Sequence, residues 1–486
     1  MELYGRKMIT SDVKEVTDAN VVEVIEKAMG QHGVNRSQID YLWDYFRGKQ
    51  PILGREKKVR PEICNRIVEN RANEIVSFKV GYLCGEPIQY IARSGEELVS
   101  KGVSQLNEMM FSENKATQDK EVVEWQMIGG TAYRLVLPDT PFDEDDAPFE
   151  MFTLDPRDTF VVYSSDIGNK PLLGVKYYVD DDGVTVYSVY STKKFWKIRD
   201  NQIIVAESKP HSLGAIPIFE YPANNARLGA FEIVIHLLDA LNNLVSNRMD
   251  GIEQFVQAFI KFINCDITRE EFDKFIEVGG IKVKSVDGAT ADVDIVSSEL
   301  NQSQTQVSKD DLYQSILTIC GIPNRNGGSS TSDTGSAVLL RDGWSLAEAR
   351  AKDSELMFKR AEQNVLKLVL KICRDTVGTP AEVSSLRLKD ISLKFTRRNY
   401  EAIQSKSQVL VSMLQQTKIH PRLAFESSGL FIDPESAYAL SMQYHEEQQQ
   451  KMLALQNTSP SDKEDEDENN NNTVREHVKT QGQDKT

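Results

Sequence analysis

The chain of 486 residues is long enough to form more than one domain with a sizeable core. It carries 57 Lys and Arg against 73 Asp and Glu. The resulting net charge of −16 argues against a tight nucleic-acid binder, though not against a protein that lets DNA slide. The first residues lack the apolar stretch of a signal peptide, and no apolar run reaches the ~18 residues that span a bilayer, so no membrane association is expected.

Cysteine and histidine are too dispersed to suggest a site. The five cysteines include no Cys-x-x-Cys pair, and the six histidines show no metal-ligand spacing. This distribution predicts free thiols in a reducing compartment and ordinary structural histidines, with no disulfide framework, metal site or cofactor. The cysteines are Cys64, Cys84, Cys265, Cys320 and Cys373.

The first ~130 residues are predicted to be mainly helical from their apolar periodicity. Amphipathic patterns indicate separate helices over residues 21–29, 37–46, 62–80 and 120–129. A basic connection punctuated by Gly and Pro, "RGKQPILGREKKVRP", joins the second to the third.

From residue 131 to residue 221 the period of apolar residues changes to two. Segments such as "AYRLVLPD" and "LLGVKYYVDDDGVTVYSVYSTKKFWKI" alternate apolar and polar side chains and are rich in Val, Tyr, Phe and Thr. We therefore predict a β domain of about ninety residues. Its "DDDG" fits a hairpin turn, and the spacing of these three Asp matches no EF-hand loop, so a solvated turn is favoured over a cation site.

Two helical patterns then flank a small insert. Residues 229–264 show apolar positions three to four apart throughout, and residues 307–320 form a second, shorter pattern. Between them, Thr268 and Glu271 form a capping box that opens a short helix. "GGIKVKSV" and "ADVDIVSS" are typical of short strands.

A loop rich in Gly and Ser, "GIPNRNGGSSTSDTGSAVLLRDGW", follows. It could cradle phosphates at a helix N-terminus, but it lacks the Lys of a P-loop and the Gly-x-Gly-x-x-Gly fingerprint, and a helix precedes it where a strand is needed. A nucleotide site is therefore disfavoured.

Residues 337–374 have an apolar residue at every seventh position, with further small or apolar residues three positions later. This pattern fits a helix packed along other helices and fits a core helix of a globular domain equally well. A strand is predicted over residues 391–396 and helices over 399–415 and 434–455. The acidic end of the chain, residues 458–486, has too few apolar residues to fold.

Several strings, in this order, resemble the portal proteins of tailed double-stranded-DNA bacteriophages, in particular the branch found in siphoviruses of Gram-positive hosts. They span residues 36–420 and are "YLWDYFRGKQPILGR", "NRIVENRANEIVSFKVGYLCGEPIQY", "LDPRDTFVVYS", "HSLGAIPIFEYPANN", "LLDALNNLVSNRMDGIEQF" and "TGSAVLL".

The resemblance implies an α+β portal fold that assembles as a ring, typically of twelve subunits, at one capsid vertex. The implied parts are a wing (1–228, then 337–398 after the tunnel loop), a first stem helix (229–264), a clip (265–306), a second stem helix (307–323), a tunnel loop (324–336), a helical crown (399–457) and the acidic tail (458–486).

It also implies partners and places. Double-stranded DNA would pass through the ring. The terminase large subunit and later head-completion proteins would dock on the clip, and the major capsid and scaffolding proteins would surround the ring. The protein would be in the virion, and in the host cytoplasm during assembly. No enzymatic activity is implied.

Three sets of residues follow from these assignments. About 51 Å of stem would enclose about 30 phosphates, which a nearly neutral wall would not hold fast. The expected stem lining is Glu232, Asp239, Arg248, Asp250, Glu253 and Lys261. The expected DNA-facing tunnel-loop residues are Asn324, Arg325, Asn326, Gly327, Gly328, Ser329, Ser330, Asp333 and Gly335. The expected docking residues of the clip are Lys274, Lys282, Lys284, Asp292 and Asp294.

Two other classes stay open at this point. A nucleotide-driven motor or nuclease would need a Walker lysine or a metal-binding carboxylate cluster, and the sequence contains neither. A non-portal oligomeric capsid scaffold or adaptor protein would differ from a portal in its mass in solution.

Overall fold

The computed structural model describes most of the chain. The described residues are 3–139, 142–143, 146–256, 259–263, 268–270, 292–296, 302–324, 343–397, 403–416, 418–431 and 434–456. They form two compact units, residues 1–405 and residues 406–486. The mixture of helices and sheets confirms the predicted α+β class.

The first helix, α1 (Val21–Phe46), is continuous where two helices were predicted. The prediction stopped at Gly30 because glycine disfavours helix. The buried positions nevertheless continue at helical spacing across the gap, through Ala28, His32, Asn35 and Ile39. Packing along this face therefore outweighs the cost of the glycines.

The predicted helix over residues 62–80 is displaced. Helix α2 spans Arg71–Cys84, and residues 62–70 before it are not helical. The side chain of Asn70 caps α2 by accepting from the amide of Asn73. Helix α3 (Glu97–Ser112), which the sequence analysis did not predict, and helix α4 (Lys115–Gly129) complete the helical part.

The predicted strands between residues 131 and 221 are confirmed and belong to two sheets. The larger sheet has the strand order β1-β5-β6-β7-β8-β10, with β9 also pairing with β8. The smaller has the order β11-β3-β4. Gly183, with a φ of 76°, closes the β6–β7 hairpin at the predicted "DDDG" turn. The strands are β1 (Ile9–Ser11), β3 (Thr131–Pro138), β4 (Phe149–Leu154), β5 (Thr159–Ser164), β6 (Pro171–Val179), β7 (Thr185–Tyr190), β8 (Lys194–Arg199), β9 (Gln202–Ile203), β10 (Lys209–Pro210) and β11 (Ile218–Pro222).

The first long helix is shorter than predicted. A 3-10 turn, Glu232–Val234, leads into α5 (Ile235–Val256), and the chain then forms strand β12 (Phe259–Ile263). Strand β12 pairs antiparallel with β13 (Asp292–Val296). The prediction that helix continues to residue 264 is wrong, because "FIKFI" is rich in β-favouring Phe and Ile and finds a partner strand in β13.

The next two helices also differ from prediction at their starts. Helix α6 (Gln302–Cys320) begins five residues earlier than predicted, because its first turn is polar and shows no apolar period. Helix α7 (Trp344–Asp375) begins after Gly343, whose φ of 84° cannot continue a helix. Of the predicted short helix at the capping box, residues 268–270 are described and the rest lies outside the described residues.

Helix α7 is a core helix of the first unit. Most of its predicted seam is buried, including Phe358, Val365 and Ile372, and Glu362, Leu366, Val369 and Cys373 are buried beside them. The main core therefore surrounds the second half of α7 and favours the core-helix alternative. After helix α8 (Ala381–Ser385), strand β14 (Ile391–Lys394) returns to pair with β2 (Gln89–Ala92) and confirms the predicted strand.

The C-terminal unit contains α9 (Ile403–Leu414), α10 (Pro421–Ser428) and α11 (Pro434–Gln456). Two of these helices were predicted, and α10 was not. Leu410, Ala424 and Phe425 form a small core of this unit.

Candidate functional site: two helices and the strand pair between them

Helices α5 and α6 are joined through the strand pair β12–β13. In chain order the elements are α5, β12, β13 and α6. Near the strand end of the helices, Arg248 Nη1 donates to Gln306 Oε1 over 2.8 Å. The strand register places Lys261 opposite Asp294 and Ile263 opposite Asp292. This is the order expected of a stem that carries a clip.

Two of the six residues predicted to line the stem are buried ion-pair partners within the chain. Glu232 accepts from Arg6 Nη2 over 2.5 Å and from the backbone amides of Gly5 and Gly229 over 3.0 and 2.8 Å, with its side chain fully buried. Asp250 is only 4% exposed and pairs with Arg55 and Lys57. Within this chain the two carboxylates do not fit the predicted channel lining, because Glu232 neutralises the buried Arg6 and Asp250 pairs with the partly buried Arg55 and Lys57.

The other four residues have different surroundings. Asp239 is half-buried and accepts from Tyr45 Oη over 2.9 Å, and burial raises its pKa. Arg248 contacts Gln306, and Glu253 is exposed. Lys261 lies in strand β12 and not on the stem helix where it was predicted.

Most of the predicted clip and tunnel-loop residues lie outside the described residues. Of the clip residues, Asp292 and Asp294 belong to β13, whereas Lys274, Lys282 and Lys284 are not described. Of the loop residues only Asn324 is described. It lines a surface pocket of about 320 Å³ with Glu74, Phe78 and Tyr313. The remaining loop residues are Arg325, Asn326, Gly327, Gly328, Ser329, Ser330, Asp333 and Gly335.

The start of α7 is held by aromatic and ionic contacts. Trp344 packs against Phe78 and Tyr82 of α2, with ring centroids 6.2 and 6.0 Å apart. Seven residues apart on α7, Glu348 and Glu355 both pair with Arg397, whose Nη2 lies 2.7 Å from Glu348 Oε1. These contacts attach the start of α7 to helix α2 and to Arg397.

The sequence analysis missed a row of polar residues on α5. Asn242, Ser246 and Asp250 are spaced by four residues and are all buried. Each accepts from a backbone amide of the extended segment before α2, namely Glu69, Ile67 and Asn65 respectively, over 2.7 to 3.0 Å. The spacing of four is visible in the sequence, but other polar residues such as Asp239, Asn243 and Asn247 share it, so the buried row could not be distinguished.

A buried charge network, not predicted from the sequence, fixes α7 to helix α4 and to three strands. Glu362 accepts from Arg134 Nη1 over 3.1 Å and lies 3.2 Å from Lys115 Nζ. Asp119 pairs with the same two cations over 2.7 and 2.5 Å. The hydroxyls of Tyr90 and Tyr221 also donate to Glu362. The network joins α4, α7, β2, β3 and β11.

No three His, Cys, Asp or Glu side chains within the described residues are placed to hold a metal ion. None of the helices in the described ranges is long and apolar enough to cross a membrane. Two helices joined through a strand pair, preceded by a mixed helix-and-sheet part, have the element order that the resemblance implies.

A family model described as "Phage portal protein, SPP1 Gp6-like" matches residues 26–461. The chain therefore belongs to this family of phage portal proteins, which are structural components of the virion. No curated protein sequence matches the chain significantly.

Solved structures of gene transfer agent particles are similar to the chain at low identity. A chain from the "Neck of empty GTA particle computed with C6 symmetry" has 12% identity and a TM-score of 0.44, with 74% of this chain and 90% of that chain covered. A chain from the "Virion of native gene transfer agent (GTA) particle" has 11% identity and a TM-score of 0.42, with 81% and 93% covered.

Proposed function

We propose that copies of this chain form a ring, of twelve subunits, at one vertex of a phage capsid, and that double-stranded DNA enters and leaves through it. The family match over residues 26–461 carries this proposal, because it includes α5, the strand pair and α6. Electron microscopy of the purified protein tests the ring. A monomer or an open aggregate at the same concentration would contradict it.

The charges that remain available on α5 suit a surface along which DNA slides. Glu232 and Asp250 are paired inside the chain. Between residues 242 and 253 of α5, the charged side chains that are not buried are Arg248 and Glu253, which have opposite charges. A wall without excess positive charge releases few counterions and does not hold the phosphates. This is the property that rapid passage of DNA requires.

The proposed docking site for the terminase large subunit and for head-completion proteins is the clip, residues 265–306. Its described strand β13 pairs with β12, which follows α5, and α6 follows β13 along the chain; this order would place the strand pair at one end of a ring. We further propose that capsid and scaffolding proteins surround the ring and that assembly takes place in the host cytoplasm. Replacing Asp292 and Asp294 by Asn should leave ring mass unchanged and reduce terminase binding in a pull-down.

The tunnel-loop assignment is tested by adding charge. Residues 324–336 include three Gly, four Ser and two Thr, and Arg325 and Asp333 cancel each other. We expect Ser329→Lys with Ser330→Lys to give normal rings that stall during DNA packaging and recover partly at higher salt, because phosphate binding weakens with ionic strength. A wild-type packaging rate at low salt would show that the loop does not face DNA.

A further inference from the structure

The clip-side half of α5, residues 242–256, extends beyond the apolar core. Ile235, Leu238 and Leu241 belong to the main core, and among the described residues none further along α5 does. Between residues 242 and 253 the buried side chains are the polar ones of Asn242, Ser246 and Asp250. Over residues 242–253, about 18 Å of helix, no apolar side chain is therefore fully buried.

The segment before α2 supplies these contacts, because its repeat matches that of the helix. Two residues of extended chain advance about 6.6 Å, and four residues of helix advance about 6.0 Å. Alternate amides at residues 65, 67 and 69 can therefore reach successive turns of α5. They do so over 2.7, 3.0 and 2.8 Å. We call residues 55–69 the strap.

Asp250 is the point at which the strap closes. Its Oδ1 accepts from the backbone and side-chain amides of Asn65 over 2.7 and 3.0 Å. Its Oδ2 lies 2.9 Å from Arg55 Nη2 and 3.1 Å from Lys57 Nζ. Burial alone would raise the pKa of Asp250, but the hydrogen bonds from Asn65 and Lys57 and the charge of Arg55 outweigh it, and the pKa is lowered. The carboxylate is therefore charged at neutral pH.

The two cations also fasten the strap to itself. Arg55 Nη1 donates to the carbonyl of Asn65 over 2.9 Å, and Lys57 Nζ donates to the carbonyl of Ile63 over 2.9 Å. At the other end, Glu69 pairs with Lys309 of α6 over 3.1 Å. The strap thus contacts both helices that carry the strand pair. Arg55 and Lys57, which belong to the basic connection, therefore pair with the carboxylate of Asp250 inside the chain.

We propose that the strap is a polar clamp that sets the direction of the clip-side half of α5, with Asp250 as its positioning residue. Through this clamp the wing determines where β12 and β13 stand. The contacts that close the clamp are hydrogen bonds and ion pairs, and Ile63 is the one buried apolar side chain that the strap contributes. That the position of the strand pair matters for docking rests on the proposed function of the clip. The existence of the clamp does not depend on that proposed function.

Hydrogen–deuterium exchange of the assembled full-length protein, without DNA or partners, tests the clamp. In Asp250→Ala, we expect exchange in residues 63–69 and in β12 to be roughly tenfold faster or more, because charge-assisted hydrogen bonds are lost, while β5 in the wing stays unchanged. Asp250→Asn keeps an acceptor but loses the charge and should give a smaller increase. Faster exchange in the strap with unchanged exchange in β12 would overturn the proposal.

Two further variants separate an effect of the strap from a general effect of changing charge on α5. Glu253→Gln changes a charge on the same helix, one turn from Asp250 and exposed, and should leave all segments unchanged. An effect on β12 as large as that of Asp250→Ala would contradict a role for the strap. If Asp250→Ala does not fold, the double variant Arg55→Gln with Lys57→Gln takes its place. We expect it to speed exchange in residues 63–69 and in β12, and exchange at the wild-type rate in these segments would refute the clamp. DNA packaging, measured separately, tests the portal function.

Discussion

Glu362 is fully buried in the core, and four donors surround it. Lys115 and Arg134 supply positive charge, and the hydroxyls of Tyr90 and Tyr221 donate hydrogen bonds. Burial by itself would raise the pKa of Glu362, but these groups lower it to about 2. The side chain of Glu362 is therefore ionised, and it joins α7 to α4, β2, β3 and β11.

We expect Glu362→Gln to reduce the free energy of unfolding by about 3–5 kcal/mol, because it leaves two buried cations short of one negative charge. Since the pKa of Glu362 is lowered from 4.5 to about 2 in the folded protein, its contribution is present above about pH 4.5 and is lost as the pH falls towards 2. Denaturant unfolding at pH 7 and pH 3.5 should therefore show a smaller pH dependence in the variant than in the wild type.

The control lies on the same helix. Asp375 forms an exposed pair with Lys371, and Asp375→Asn should change stability by less than about 1 kcal/mol. Equal effects of the two substitutions would show that the network around Glu362 is not a buried anchor.

Single charged residues were the hardest feature to place from the sequence. Glu232, Asp250 and Glu362 all occur in helical patterns where a charge ordinarily faces solvent, and all three are buried. Their partners lie far along the chain, as with Arg6 for Glu232 and Arg55 for Asp250. No local pattern contains such pairings, because they depend on the tertiary fold.

At the scale of elements, α1 shows how packing overrides local preference. Gly30 and Gly33 lie within the helix, and a Cβ at either position would meet no atom within 4 Å. Their cost to the helix is therefore not compensated by any close approach.

Alanine at Gly30 and at Gly33 should each stabilise the protein by about 0.5–1 kcal/mol, because alanine has a higher helix propensity and both sites are open. Thermal unfolding measures the effect as a rise in Tm. Gly102→Ala in α3 is the opposing control, since its Cβ would lie 2.7 Å from the carbonyl oxygen of Glu382, and it should lower Tm. A fall in Tm for the α1 variants would mean that the glycines are needed there.

Elements with a clear period were predicted well. The strands between residues 131 and 221 and the strand at residue 391 were found because their alternation is local. Residues 62–69 of the strap were predicted as the start of a helix, and residues 55–61 as part of the basic connection. Its amides pair with side chains of α5 that follow more than 170 residues later, and that pairing leaves no trace in its own period.

At the scale of the whole molecule, the sequence supported the fold class and the order of parts, and the family match confirms the portal assignment. The predicted boundaries of stem and clip were less accurate, because "FIKFI" fits a helix and a strand equally well until its partner strand is known. Assignments to the tunnel loop stay predictions.

Removal of residues 458–486 should leave Tm unchanged within error. This segment contains eight acidic and four basic residues and few apolar ones, so it cannot bury enough surface to offset its ordering entropy. Differential scanning calorimetry of the truncated and full-length proteins provides the comparison. A clear fall in Tm on truncation would show that the tail packs against the folded protein.

The charge network around Glu362 also has a consequence for synthesis on the ribosome. Arg134 precedes Glu362 by 228 residues. At a synthesis rate of about 5–20 residues per second, roughly 10–50 s pass between the synthesis of Arg134 and that of Glu362. During that time Lys115 and Arg134 share one carboxylate, that of Asp119. The main core, which includes Phe358, Val365 and Ile372 of α7, therefore stays incomplete in a nascent chain until α7 has been synthesised.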